Sequence, residues 1–215
     1  MATTTKKAVN ELITSLRSLA PKRAISYGEA IQVARLQAAR FRRWAEADQP
    51  DINLIWLIEQ RAVPVHFVPA HKLSEESGLT TNAVGGKVQV FINQNEPLTR
   101  QRFSLLHEFK HVLDFTDGDH LYERLGSGDQ KRKELQMELI CNHFAAHVLM
   151  PTALVKSHWF ATQNVDLMAG LFNVSPEAMS KRLRDLGLIE RPEEKPRTYF
   201  RQAGAALGDA LCCAA

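Results

Sequence analysis

What this sequence has little of narrows the field first. Its 215 residues include only three cysteines, Cys141, Cys212 and Cys213. That is too few for a disulfide framework and suits a reducing compartment. No run of about 18 apolar residues occurs, so neither a transmembrane helix nor a membrane partner is expected. The opening MATTTKKAVNEL has no apolar signal core and no cleavage site, so a cytoplasmic location is expected. Neither sign of charge is in excess: 27 basic against 24 acidic residues leave a net +3. A balance that mild does not by itself imply nucleic-acid binding. Repeats and low-complexity tracts are absent, which excludes solenoids and disordered tails as the main architecture.

What is present is an ordinary globular composition, with 45% hydrophobic residues and enough chain for a sizeable core. The order of elements predicts an α+β fold, mostly helical, with a small mixed or antiparallel sheet. Residues 1–25 read as a short helix and a mobile lead-in. Residues 26–48 have helical period, with Ser26 and Glu29 at capping-box spacing. A second helix is expected over 51–61. Two Val-rich stretches, 62–70 and VQVFIN at 88–93, read as strands. Between them HKLSEESGLTTNAVGG reads as turns with a short helix at most. Helices are expected over 98–115 and from an Asp129 cap to Met150, where Pro151 stops the run. Residues 118–130 read as a loop or broken helix. A helical pair covers 164–188, with Ser175-Pro176 opening its second member. These readings divide the chain into an N-terminal helical segment (1–50), a core (51–160), a C-terminal pair (161–190) and a tail (191–215) with at most one more helix.

The chemistry concentrates in RFSLLHEFKHVLDF, residues 102–115. Within it HEFKH is a His-Glu-x-x-His pattern. His107 and His111 lie four apart, so they leave a helix on one face and can share a metal. Phe103, Leu105, Leu106, Phe109, Val112 and Leu113 fall on one half of the wheel. Ser104, His107, Glu108 and His111 fall on the other. A surface helix shows the same division, and random placement yields the pattern in about 2% of such sequences. The site therefore needs a third ligand, because catalytic zinc takes three protein ligands and keeps one position open.

Candidates for that ligand are His120, His143, His147, Glu123, Glu134 and Glu138. Glu138 sits among Leu135, Cys141, Ala145 and Leu149 on what reads as an apolar helical face, where a carboxylate is costly unless paired or metal-bound. Asn142 lies one turn on and can hydrogen-bond it. His143 and His147 occupy a different face and are second choices, with contact to substrate as their other use.

The ordered set VFIN (90–93), RQRF (100–103), HEFKH (107–111), ELICNHFAA (138–146) and LMP (149–151) resembles the ImmA/IrrE-type metallopeptidases, over about residues 60–188. The resemblance implies a minimal zincin-like fold and one Zn²⁺ held by His107, His111 and Glu138. It implies Glu108 as general base in peptide hydrolysis. It also implies a protein substrate, a partner helix-turn-helix repressor, cleaved in a stress response or in mobile-element regulation. Two departures are Cys141, where Ala is usual, and Lys110, where a small residue is common. Neither is a ligand position, and Lys110 is expected at the rim of the cleft.

Around that site Asp114 and Asn142 are candidates to orient the histidines. His143, His147 and Tyr122 are candidates to stabilise an oxyanion. The strand VQVFIN is expected to border the cleft, where a substrate can add as a further strand. Arg100 and Arg102 are expected to anchor their helix. The pair over 164–188 has a helix-turn-helix texture, with Lys181, Arg182 and Arg184 on its second member. DNA reading through those three is the less favoured alternative to packing on the core. The second overall reading is a regulatory DNA- or protein-binding module with a non-catalytic metal site.

Overall fold

The structure is a computed structural model and describes residues 6–60, 62–73, 78–82 and 88–190. The expected 191–215 tail lies outside them, as do parts of the stretch between the two predicted strands.

Helix α1 (Lys6–Arg17) buries Val9, Leu12 and Leu16 completely. It is followed by α2 (Tyr27–Trp44). The capping box at its start is formed as expected: the Ser26 hydroxyl accepts from the Glu29 amide, and the Ser26 amide donates to Glu29 Oε2 at 2.8 Å. This satisfies two of the amides that a helix start leaves without partners. The helix expected over 51–61 shrinks to a single turn, α3 (Ile55–Ile58).

The sheet has three strands: β1 (Val65–Val68), β2 (Gly78–Asn82) and β3 (Val88–Asn93). Their order is β1-β3-β2, with β1 parallel and β2 antiparallel to β3. The β2 segment GLTTN had been expected as turn. It becomes a strand because β3 offers it a complete ladder, Gly78 opposite Ile92 through Asn82 opposite Val88. Pairing of that kind is non-local and leaves little local signal.

Helix α4 (Leu98–Asp114) lies against this sheet. A short helical turn α5 (Gly118–Leu121) and a 3₁₀ turn (Leu125–Gly128) lead into α6 (Gln130–Leu149), capped by Asp129. Pro151 ends α6 but also opens α7 (Thr152–Thr162), a helix with no counterpart in the sequence reading. Then come α8 (Val165–Phe172) and α9 (Pro176–Asp185), with Ser175 accepting from the Ala178 amide.

One buried cluster joins these parts. Phe41 of α2, Phe109 of α4 and Phe144 of α6 meet with ring centroids 5.6, 6.1 and 6.4 Å apart. Such ring pairs add about 0.5–1.5 kcal/mol beyond area burial. Arg42 of α2, 7% exposed, donates to the Val148 carbonyl near the end of α6 at 2.8 Å. Arg17 of α1 donates to the Leu113 and Val112 carbonyls at 2.9 and 2.8 Å. Those are last-turn carbonyls of α4, the acceptors a helix end leaves free. Both N-terminal helices thus fix the positions of α4 and α6, the two helices that carry the candidate site.

Candidate metal centre

The back of α4 is built as its wheel suggests. Leu105, Leu106, Phe109, Val112 and Leu113 are buried, which turns His107 and His111 toward a cleft between α4, α6 and β2. Phe103 is partly buried against the core and also lines the cleft. Glu138 of α6 reaches across to both histidines. His107 Nε2 is 3.1 Å from Glu138 Oε2, His111 Nε2 is 3.4 Å from Glu138 Oε1, and the two Nε2 atoms are 3.2 Å apart.

These three distances test whether the residues fit an ion. Zinc bonds of roughly 2.1 Å in a tetrahedron place neighbouring donors about 3.4 Å apart. The three contacts lie within a few tenths of an ångström of that edge, with each histidine meeting a different oxygen of the Glu138 carboxylate, so both imidazoles and the carboxylate face one small volume open to the cleft. Asn142, one turn beyond Glu138, has Oδ1 3.0 Å from His107 Nδ1. Accepting the Nδ1 proton leaves the Nε2 lone pair directed at the shared volume.

Cys141 complicates the choice of third donor. Its sulfur and the two histidines lie within 4.8 Å of one another. The thiol is fully buried, and burial pushes its pKa up although His111 acts against it. A thiolate there is costly. The Glu138 oxygens are closer, and the two histidines hold its carboxyl well below the usual carboxylate range. Glu138 is therefore the better donor, and Cys141 packs beneath His111.

The reason for singling out Glu138 needs correction. It is not a carboxylate stranded on a buried face: its side chain is 52% exposed, and Leu135 nearby is 60% exposed. The buried part of α6 begins at Ile140. What distinguishes Glu138 is its approach to the two histidines.

Glu108 is 6% exposed and is held by a strand that the sequence reading had as turn. The Thr80 hydroxyl lies 2.7 Å from Glu108 Oε2 and 3.2 Å from the Glu108 carbonyl. Gly78 lies against the other oxygen, so close that a Cβ there would meet Glu108 Oε1 at 2.9 Å. Burial raises the Glu108 pKa, while the Thr80 hydrogen bond and then the two histidines pull it down. Both β2 residues were missed. Only the glycine in a Thr-rich stretch hinted that a backbone approaches something closely there.

The other singled-out residues fall in different places. Asp114 is not hydrogen-bonded to His111. It pairs with Lys110 and accepts from the Tyr122 hydroxyl at 2.6 Å. Tyr122 is 1% exposed and does not line the cleft. Lys110 is not at the rim but fully buried behind the helix, its ammonium donating to Asp114 and to the Tyr122 oxygen. His143 lines the far end of the cleft, and His147 lies beyond it in a second cavity. Arg102 anchors α4 to Asp51 and the Ile52 carbonyl at 2.7 and 3.0 Å.

Comparison with known proteins gives the family. Residues 59–184 match the family described as IrrE N-terminal-like domain. A curated relative, the radiation response metalloprotease IrrE of Deinococcus deserti, is 38% identical over 66 residues. That stretch covers 31% of this chain and 24% of the relative. Among solved structures, a Mycobacterium tuberculosis transcriptional regulator superposes with a TM-score of 0.54 at 16% identity. The match covers 83% of this chain and 52% of that one, and it is a likeness of fold. With a family match that spans more than half its length and encloses both histidines, Glu108 and Glu138, the chain belongs to the IrrE N-terminal-like family of metallopeptidases.

Proposed function

We propose that the protein is a zinc-dependent endopeptidase acting on a protein substrate, a partner transcriptional repressor, in the cytoplasm. The observation that carries this reading is the convergence of His107, His111 and Glu138 at 3.1–3.4 Å beside a buried glutamate. His107, His111 and Glu138 would hold one zinc ion. When bound, zinc supplies Lewis-acid polarisation and lowers the pKa of water from about 15.7 toward about 7.

The chain's own residues supply the rest. Glu108 takes the proton of the attacking water at Oε1, because Oε2 is engaged by Thr80. It then returns that proton to the leaving amine. Burial favours the first of these steps, proton uptake, by raising the carboxyl's proton affinity. Asn142 keeps His107 in the tautomer that leaves Nε2 free.

The substrate strand expected on β3 needs another place, since β3 is paired on both sides. Gly78, Leu79 and Thr80 of β2 line the cleft instead. The outer edge of β2 has no partner strand among the described residues. An extended peptide pairing with that edge would present its backbone beside Glu108. Tyr122, committed to Asp114 and Lys110, is no oxyanion donor in this reading.

The test is Glu108→Gln. Zinc content at one ion per chain with loss of repressor cleavage is the expected result. Cleavage at the wild-type rate would remove Glu108 from the mechanism. The alternative, a DNA-binding module, draws less support: Arg182 is 5% exposed and donates to the Met150 carbonyl and the Thr152 hydroxyl.

A further inference from the structure

Beyond the metal-binding end of the cleft lies a cavity of about 610 Å³ between α2, α6 and α9. His143, Lys181, Arg182 and Asp185 line both spaces, so the two adjoin. Arg35 of α2 and His147 of α6 line the cavity alone. Three cations face one carboxylate, leaving an excess of two positive charges before either histidine is protonated.

The charges are placed differently. Arg182 is fixed from within by Met150 and Thr152. Lys181 touches Asp185 at 3.2 Å, with its side chain 73% exposed. Arg35 is exposed and forms no hydrogen bond or ion pair with the described residues. The two histidines are packed ring to ring at 5.9 Å, and His147 Nδ1 donates to the His143 carbonyl at 2.7 Å. They are not a second metal site, since no third donor joins them among the described residues and the candidate donor group there is the one around His107 and His111. Both histidines register the excess charge. Burial and then Arg182 lower His147 to about 4. His143 is lowered by burial, then by Arg35 and Lys181.

We propose that this cavity is a subsite for an acidic side chain of the peptide substrate, with Arg35 and Lys181 as the groups that bind its carboxylate. The proposal rests on the peptidase reading above. Its distance from the reacting bond follows from α6. His143 and His147 lie five and nine residues beyond Glu138, or about 7.5 and 13.5 Å along the helix axis. An extended peptide advances about 3.3 Å per residue, so the acidic residue sits roughly two to four positions from the cleaved bond. A nucleic-acid phosphate is the less suitable ligand. Lys181 and Arg182 of α9 line a concavity beside the cleft, and only Arg184 of the three basic residues lies outside it, whereas groove reading needs them together on a convex helix face.

The experiment uses the full-length Glu108→Gln protein loaded with zinc, so that bound peptides persist. Short labelled peptides of neutral polar sequence carry a single Glu, moved one position at a time, and are compared by fluorescence anisotropy with a parent bearing Gln. One register of Glu should bind about tenfold more tightly than the parent, the scale of a single charge-assisted hydrogen bond. Arg35→Ala and Lys181→Ala should each erase most of that difference. Arg35→Glu/Lys181→Glu should favour Lys in the same register. Both positions are exposed, so the variants keep their fold, checked by circular dichroism.

Equal binding of Glu and Gln peptides at every register, including no binding of either, overturns the subsite. So does a Glu preference that survives charge reversal. Duplex DNA that binds more tightly than any peptide at physiological salt, and is lost in the same variants, reassigns the cavity to nucleic acid. The two readings fail separately. A protein that binds zinc and cleaves its repressor without Glu preference keeps the peptidase and loses the subsite. One that shows Glu preference but binds no zinc does the reverse.

Discussion

Lys110→Met puts a number on the packing behind the metal-binding helix. Lys110 is 0% exposed, and its ammonium donates to Asp114 and, at 3.2 Å, to the Tyr122 oxygen. Tyr122 in turn donates to the other Asp114 oxygen at 2.6 Å. Methionine matches the stem of lysine closely, so little packing is lost. The charge balance is lost instead. Removing one partner of a buried ion pair costs about 3–5 kcal/mol, because the other is left uncompensated. Asp114 keeps the Tyr122 hydrogen bond and 11% side-chain exposure. The low end of that range therefore applies, about 3 kcal/mol. For a chain of this size that is a fall in Tm of roughly 6–12 °C. Urea unfolding of the metal-free protein in EDTA measures it without interference from zinc. The triple change Lys110→Met/Asp114→Leu/Tyr122→Phe should regain most of the loss, since an apolar replacement of a whole buried network is often near neutral. A single-variant cost below about 1 kcal/mol would show that the ammonium reaches water. A triple variant weaker than the single one would show that the network as a whole is net stabilising.

Glu138→Ala should take zinc content from one ion per chain to well below it, measured by atomic absorption after dialysis; undiminished zinc would point to Cys141 as third donor. Thr80→Val should slow peptide cleavage roughly 10- to 100-fold, a part of the roughly 10²- to 10⁴-fold that a positioned general base contributes. Thr80→Ser should restore most of the rate with zinc content unchanged, and equal rates for Val and Ser would remove the hydroxyl from the mechanism. His147 gives the fold a dependence on acidity. Its folded pKa of about 4 lies below the ordinary 6.5. Its neutral form is therefore favoured in the fold, and its contribution is complete above about pH 6.5 and lost as pH falls toward 4. Urea midpoints measured from pH 7 to 4 should fall less steeply in His147→Gln, and identical slopes would count against the buried neutral imidazole.

The parts of this molecule legible from sequence are those written locally. The Ser26–Glu29 box, the Asp129 cap, the Ser175-Pro176 start and the strand VQVFIN all appear where their residues place them. Elements that depend on distant partners were not legible. GLTTN has two threonines but is too short to announce a strand without the β3 ladder. Pro151 was read as a stop, but a proline fits the first positions of a new helix as well as the end of an old one, and α7 begins one residue later. Lys110 looked like a rim residue because lysine is almost never fully buried unless paired. Its partner Tyr122 lies 12 residues away on another element.

Glu138 is set apart by its neighbours and not by burial. The wheel treats α6 as uniformly packed, yet its fully buried residues begin only at Ile140, and the carboxylate stands half in solvent. That exposure suits a ligand better than burial does. A fully desolvated carboxylate shifts upward in pKa and resists ionisation, whereas Glu138 is held low by its histidines and stays ready to coordinate. Glu108 has the opposite environment: buried, clamped between Gly78 and Thr80, and raised. Two carboxylates on facing helices are thus driven apart in proton affinity, which is the division of labour a ligand and a proton carrier need. Two of the elements responsible, the β2 strand and the half-exposed first part of α6, are the ones that a helical wheel cannot represent.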